Sequence, residues 1–181
     1  MSNDMDPLDL PRINRPDWPR HAPGAYPILV CVQFDETGHN ALTLAMRFAE
    51  AHSHAPLQIA HVVPDTSTSG RAAVTERHIA RLEEATKKLE EFVASRVGER
   101  PLEFKLHVRI GEVVQNVFQL ALDYDVELIV VCTHGHSAVS RLAFGSVAQK
   151  IVEAARCPVL IAAPRDFSGM EPTLIPDPPR P

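Results

Sequence analysis

The chain has 181 residues, 45% hydrophobic and 23% charged, with a net charge of -5. That is enough for one domain with its own core, and the acidic balance argues against a nucleic-acid surface. No apolar run exceeds strand length, so none is expected to span a membrane. The segment Met1 to Asp6 lacks the basic and apolar regions of a signal peptide, and three cysteines are too few for a disulfide framework. A cytoplasmic protein is expected.

Of the 16 prolines, five fall in residues 1–25 and six in 164–181. The expected organisation is a Pro-rich N-terminal arm (1–25), a folded domain (26–163) and a Pro-rich tail (164–181). Trp18 is the natural anchor if the arm binds a partner, and the tail favours polyproline-like conformations.

Within the domain, Tyr26 to Gln33 contains the unbroken apolar run Ile28 to Val32, the pattern of a strand buried on both faces. Thr37 is a candidate cap for the next helix, whose Leu42, Ala45, Met46 and Ala49 keep helical spacing. Leu57 to Val63 is a second strand, stopped by Pro64. Residues 71–97 read as a long helix with Ile79, Leu82, Leu89 and Val93 as its buried stripe. Glu83–Lys87 and Glu84–Lys88 are favourably ordered i, i+4 pairs, and Gly98 ends the helix. Leu102 to Val108 alternates as a third strand. Gly111 turns the chain into a helix facing inward with Val114, Val117, Phe118 and Ala121. Leu128 to Cys132 is the fourth strand, Ser146 to Ala155 a helix, and Pro158 to Ala162 the last strand.

Strands and helices therefore alternate. Right-handed crossovers between parallel strands put helices on both faces of the sheet. Ligands in such sheets bind at the carboxyl ends of strands, where the winding direction reverses. In a five-stranded parallel sheet of order 3-2-1-4-5 that point lies between the first and fourth strands, at Gln33 to Glu36 and Cys132 to Gly135. Asp35 and Glu36 there are candidate Mg²⁺ ligands, or plain turn residues.

The most informative stretch is Val131-Cys132-Thr133-His134-Gly135, then nine residues, then Gly145-Ser146-Val147. A strand runs through a loop into a helix start, where unpaired amides and the helix dipole suit phosphate. Gly135 and Gly145 permit close backbone approach, and Ser146 offers a hydroxyl or a helix cap. Arg141 is placed either to reach a phosphate or to lie in solvent. Two glycines at this spacing are also what tight turns alone require.

The run from Thr133 through Gly145-Ser146-Val147-Ala148 to Cys157-Pro158-Val159-Leu160-Ile161 resembles the C-terminal signature of the universal stress protein family. Tyr26-Pro27-Ile28-Leu29-Val30, His61-Val62-Val63 and Gly111-Glu112 support the resemblance across residues 26–163. It implies an adenine-nucleotide alpha-hydrolase-like α/β fold and a stress-response regulator or scaffold. It also implies a homodimer meeting through the last strand at Val159, Leu160 and Ile161. Some members bind ATP, and Mg²⁺ would accompany the nucleotide. By resemblance Gly135, Gly145 and Ser146 match phosphate positions, with Thr133 and His134 in the same loop. Val62 matches the main-chain contact to adenine, and Gln33 matches a nucleoside-contacting aspartate.

Three residues depart from the pattern: Cys132 replaces the first signature glycine, Gln33 the aspartate, and Cys31 a proline. A Cys132 side chain is expected to crowd a nucleotide or redirect the loop. Two readings stay open, an ATP pocket and a dimeric assembly module that binds no nucleotide. An enzyme, such as a weak ATPase, needs a placed base or nucleophile and often a metal and is disfavoured; with no Gly-x4-Gly-Lys-Ser/Thr loop, a P-loop enzyme is not expected. Cys31 and Cys132 end neighbouring strands and are either a redox pair or two small buried hydrophobes. A zinc site from Cys31, Cys132 and His134 lacks the usual ligand spacing, so no resident metal is expected.

Overall fold

The structure is a computed structural model and describes residues 26–53, 55–65, 71–132 and 145–163. Both arms, 1–25 and 164–181, lie outside the described residues.

The elements are β1 (Ile28–Cys31), α1 (Glu36–Ala51), β2 (Leu57–Val63), α2 (Arg71–Val97), β3 (Phe104–Ile110), α3 (Val113–Asp123), β4 (Leu128–Cys132), α4 (Ser146–Ala154) and β5 (Val159–Ala162). The five strands form one sheet in the order β3-β2-β1-β4-β5, and every neighbouring pair is parallel. β1 is central because it is apolar throughout. Ile28, Leu29 and Val30 are all fully buried, as a strand covered on both faces requires.

The two faces carry separate cores. Ile28, Val30, Leu57 and Ile59 pack with α1 and α2, through Leu42, Ala45, Met46, Leu89 and Val93. Leu29, Ala60, Ile129 and Val131 pack with α3 and α4, through Val117, Leu120, Ala148 and Ile151. The chain winds outward from β1 to β3, then returns across the sheet to β4. That reversal puts α1 and α2 on one face and α3 and α4 on the other.

Several details differ from the sequence expectation. Asp35, not Thr37, caps α1: its carboxylate accepts the Gly38 amide at 2.9 Å. Thr37 is the second helical residue, and its hydroxyl donates to Asp35 Oδ1 at 2.7 Å. A carboxylate acceptor suits a helix start better than a hydroxyl because it also meets the dipole. β3 begins two residues later than expected and runs on to Ile110, which pairs with Val63. Ile79 is 50% exposed rather than part of a buried stripe. A 27-residue helix is about 40 Å long, whereas a seven-residue strand spans only about 23 Å. On that difference α2 reaches past the sheet, and among its described side chains the first buried one is Ala85. The expected Glu84–Lys88 pair is formed, at 2.6 Å. Gly98 and Gly111 take φ of +57° and +134°, ending α2 and turning into α3.

Gly38 is a position that sequence periodicity did not single out. A Cβ there would lie 1.9 Å from the Gln33 carbonyl oxygen. The start of α1 is thus pressed against the end of β1, and only glycine fits. Gly38→Ala is expected to lower stability by about 1–3 kcal/mol, the usual cost of overpacking. Urea unfolding measures this, and an unchanged midpoint would show that the contact is not rigid.

Candidate functional site

The parallel pairing of β1 with β4, Cys31 opposite Val131, puts the ends of these strands side by side at the reversal point. Gln33 follows β1 and is partly buried, Cys132 closes β4, and Val62 lies near the end of β2. Gly145 and Ser146 open α4, which starts from the same edge because it returns the chain from β4 to β5. The structure thus brings Gln33, Val62, Cys132, Gly145 and Ser146 to one end of the sheet. Thr133, His134, Gly135, His136 and Arg141 lie outside the described residues.

Of the four helices that start at this edge, α1, α3 and α4 have a described cap position, and these three differ. The Asp35 side chain caps α1, and the Glu112 carboxylate caps α3 by accepting the Gln115 amide at 2.6 Å. α4 starts at Gly145 with no side-chain cap, so Ser146 is its first helical residue and not its cap. The first intrahelical bond is Gln149 N–H to Gly145 C=O at 3.0 Å. The amides of Ser146, Val147 and Ala148 have no intrahelical acceptor. They point out at the positive end of the helix dipole.

Cys132 is turned toward α1. Its side chain belongs to the α1/α2 core, in hydrogen-bond contact with the Thr37 hydroxyl and the Gln33 backbone. The thiol therefore packs on the α1 side of the sheet, the face opposite the one that α4 covers. Burial pushes this thiol up, Thr37 counteracts, and the nearby Asp35 carboxylate adds to the rise. Cys31 packs in the opposite core with α3 and α4, and burial pushes it up to about 12, with Cys132 adding to the effect. Side chains alternate along a strand, so a one-residue offset between neighbouring strands puts the two thiols on opposite faces. All three cysteines are free. Among the described residues no group of three or more His, Cys, Asp or Glu is placed to hold a metal ion. Asp35, a candidate Mg²⁺ ligand on sequence grounds, has one carboxylate oxygen engaged in capping.

Sequence reasoning missed Phe34. It follows the polar Gln33, and its ring stacks on His61 with centroids 4.1 Å apart. It also makes a T-shaped contact with Phe92 at 5.8 Å, and Phe92 stacks on His39 at 4.2 Å. His61 is fixed by its Nδ1–H, which donates to the Val32 carbonyl at 2.9 Å. An aromatic residue in a loop, one position after a strand's polar end, was the available signal.

A thiolate, not a thiol, is the reactive form of cysteine. At pH 8 the folded chain is expected to resist iodoacetamide at all three cysteines over a time in which the unfolded chain reacts fully. Mild peroxide is expected to form no Cys31–Cys132 disulfide. Fast labelling of Cys132 in the folded state would contradict the geometry, as would that disulfide in a peptide map.

Comparison with known proteins agrees with this architecture. The model of the universal stress protein family matches residues 26–163. A universal stress protein encoded beside a QAH/OAS sulfhydrylase in Thermus aquaticus is 34% identical over 136 residues, 73% of this chain and 96% of that protein. A solved universal stress family protein from Burkholderia pseudomallei superposes with a TM-score of 0.58 at 27% identity, covering 77% of this chain and 97% of the other. A universal stress protein solved in complex with cAMP superposes with a TM-score of 0.50 at 21% identity, covering 77% and 98%. No helix among the described residues is long and apolar enough to cross a membrane. By sequence across its folded domain and by sheet order, the chain belongs to the universal stress protein family.

Proposed function

We propose that this universal stress protein is a cytoplasmic stress-response regulator or scaffold, not an efficient enzyme, and that its carboxyl-edge pocket takes an adenine nucleotide. One observation carries the reading: among the described residues, a carboxylate caps α1 and another caps α3, whereas the residue before α4 is Gly145, which brings no side-chain cap. The first-turn amides of α4 stand where the sheet reverses direction, the place at which such folds hold ligands. A phosphate supplies the missing acceptors and the matching charge. In this reading Ser146 adds its hydroxyl, the main chain at Val62 meets the adenine, and Gln33 bonds the nucleoside through its amide. Thr133, His134 and Gly135 complete the phosphate loop. In this reading the Cys132 side chain, packed toward α1, stays clear of the phosphates. Mg²⁺ enters with the nucleotide rather than on a resident site. The cAMP complex on the same fold supports the choice of ligand class. Regulation follows if the nucleotide binds one conformer or partner state better than another.

Thermal melting with ATP, ADP and AMP, with and without Mg²⁺, tests the pocket. A saturable rise in Tm is expected, by mass action on the folded state. Ser146→Asp separates binding from folding. A carboxylate in the first turn is favourable to the helix but repels phosphate, so the free protein should melt unchanged while the ATP shift disappears. No shift in the natural protein would favour an assembly module that binds no nucleotide.

The last strand favours self-association. β5 is the outermost strand beyond β4, and Val159, Leu160 and Ile161 stay partly exposed. An apolar edge strand is a template for pairing with another chain, and we propose a homodimer formed there. Light scattering is expected to give twice the chain mass at micromolar concentration. A single-chain mass at high concentration would exclude the dimer.

A further inference from the structure

A second concave feature lies on the other side of the carboxyl edge. Along β2, residues alternate between faces. Val62 belongs to the α3 side with Ala60, while His61 and Val63 turn to the α1/α2 side with Ile59. Where α2 overhangs the sheet, a cleft of about 220 Å³ opens between its Arg81–Lys88 segment and the ends of β1 and β2. Phe34 and His61 form its aromatic wall, and Arg81, Glu84 and Lys88 supply its charge.

Three features make this more than a surface irregularity. The aromatic wall is fixed in place: Phe34 stacks on His61 at 4.1 Å and His61 is tethered to Val32 at 2.9 Å. Phe34 nevertheless stays 36% exposed, so an apolar ring surface remains open to a ligand. The Arg81 guanidinium is also held, donating from Nη2 to the Pro64 carbonyl at 2.8 Å. With Lys88 partly neutralised by Glu84 at 2.6 Å, the cleft has a net charge of about +1 when its histidine is neutral. Aromatic rings prefer flat partners in offset or edge contact, and guanidinium groups pair with carboxylate or phosphate oxygens.

We propose that this cleft is a binding site for a planar aromatic anion, separate from the nucleotide pocket on the α3/α4 side. The ring of the ligand packs on Phe34 and His61, and its acidic group meets Arg81 and Lys88. The proposal does not depend on the nucleotide reading, because it uses neither the α4 amides nor Val62.

The test is titration of the full chain with 1-naphthoate, followed by assigned amide shifts in heteronuclear NMR. The expected result is saturable shifts at Phe34, Ala85 and Lys88. Cyclohexanecarboxylate, which lacks the flat ring, and 1-naphthylmethylammonium, which reverses the charge, are expected to bind at least tenfold more weakly. Phe34→Ala should raise the Kd about tenfold, the scale of one lost aromatic contact. Because that variant also removes packing, the surface double variant Arg81→Gln, Lys88→Gln is the second arm, expected to abolish the preference for anion over cation. Absence of saturable shifts would overturn the proposal. So would shifts confined to Val62 and Ser146, or equal binding by the natural protein and both variants.

Discussion

Burial of β1 on both faces is the constraint from which the rest of the molecule follows. A strand whose Ile28, Leu29 and Val30 admit no solvent needs a hydrogen-bonded neighbour on each side and a helical layer above and below. β2 and β4 supply the neighbours, α1 with α2 and α3 with α4 the layers. Right-handed crossovers then force the chain to leave β1 in one direction and come back in the other. The reversal point is a by-product of satisfying β1, and it sets the carboxyl ends of β1 and β4 side by side.

Helix capping distinguishes the helices that start at this edge. At α1 and α3, carboxylates carried by the chain itself each accept one first-turn amide, that of Gly38 and that of Gln115. The cap at α1 is locked further by Gly38, whose missing side chain lets the helix start sit against Gln33. At α4 a glycine stands where those carboxylates would be. Among the described residues, the same edge therefore has a side-chain cap at two helix starts and none at the third. The cleft beneath α2 lies where the Arg81–Lys88 segment passes the ends of β1 and β2, beside Phe34.

The fold was largely legible because its signals are local and periodic. The solid apolar run of β1, the helical spacing of Leu42, Ala45, Met46 and Ala49, and the glycines at 98 and 111 each have one simple reading. What escaped depended on contacts between distant segments. Thr37 and Asp35 are both credible caps from sequence, and only the backbone path chooses Asp35. Ile79 keeps the helical period but has no sheet beneath it. The opposite orientations of Cys31 and Cys132 follow from strand register, which alternation alone does not specify between strands. Gln33, Val62, Cys132, Gly145 and Ser146 lie at one edge of the sheet, Thr133, His134 and Gly135 lie outside the described residues, and Phe34 carried no motif to mark it.

The central claim is that the open amides of α4 and the ends of β1 and β2 form one pocket for an adenine nucleotide. A crystal structure determined with ATP and Mg²⁺ tests it most directly. The account predicts phosphate oxygens on the amides of Ser146 and Val147, with the base against the main chain of Val62. Nucleotide bound elsewhere, or phosphates turned away from α4 in a well-ordered complex, would contradict it.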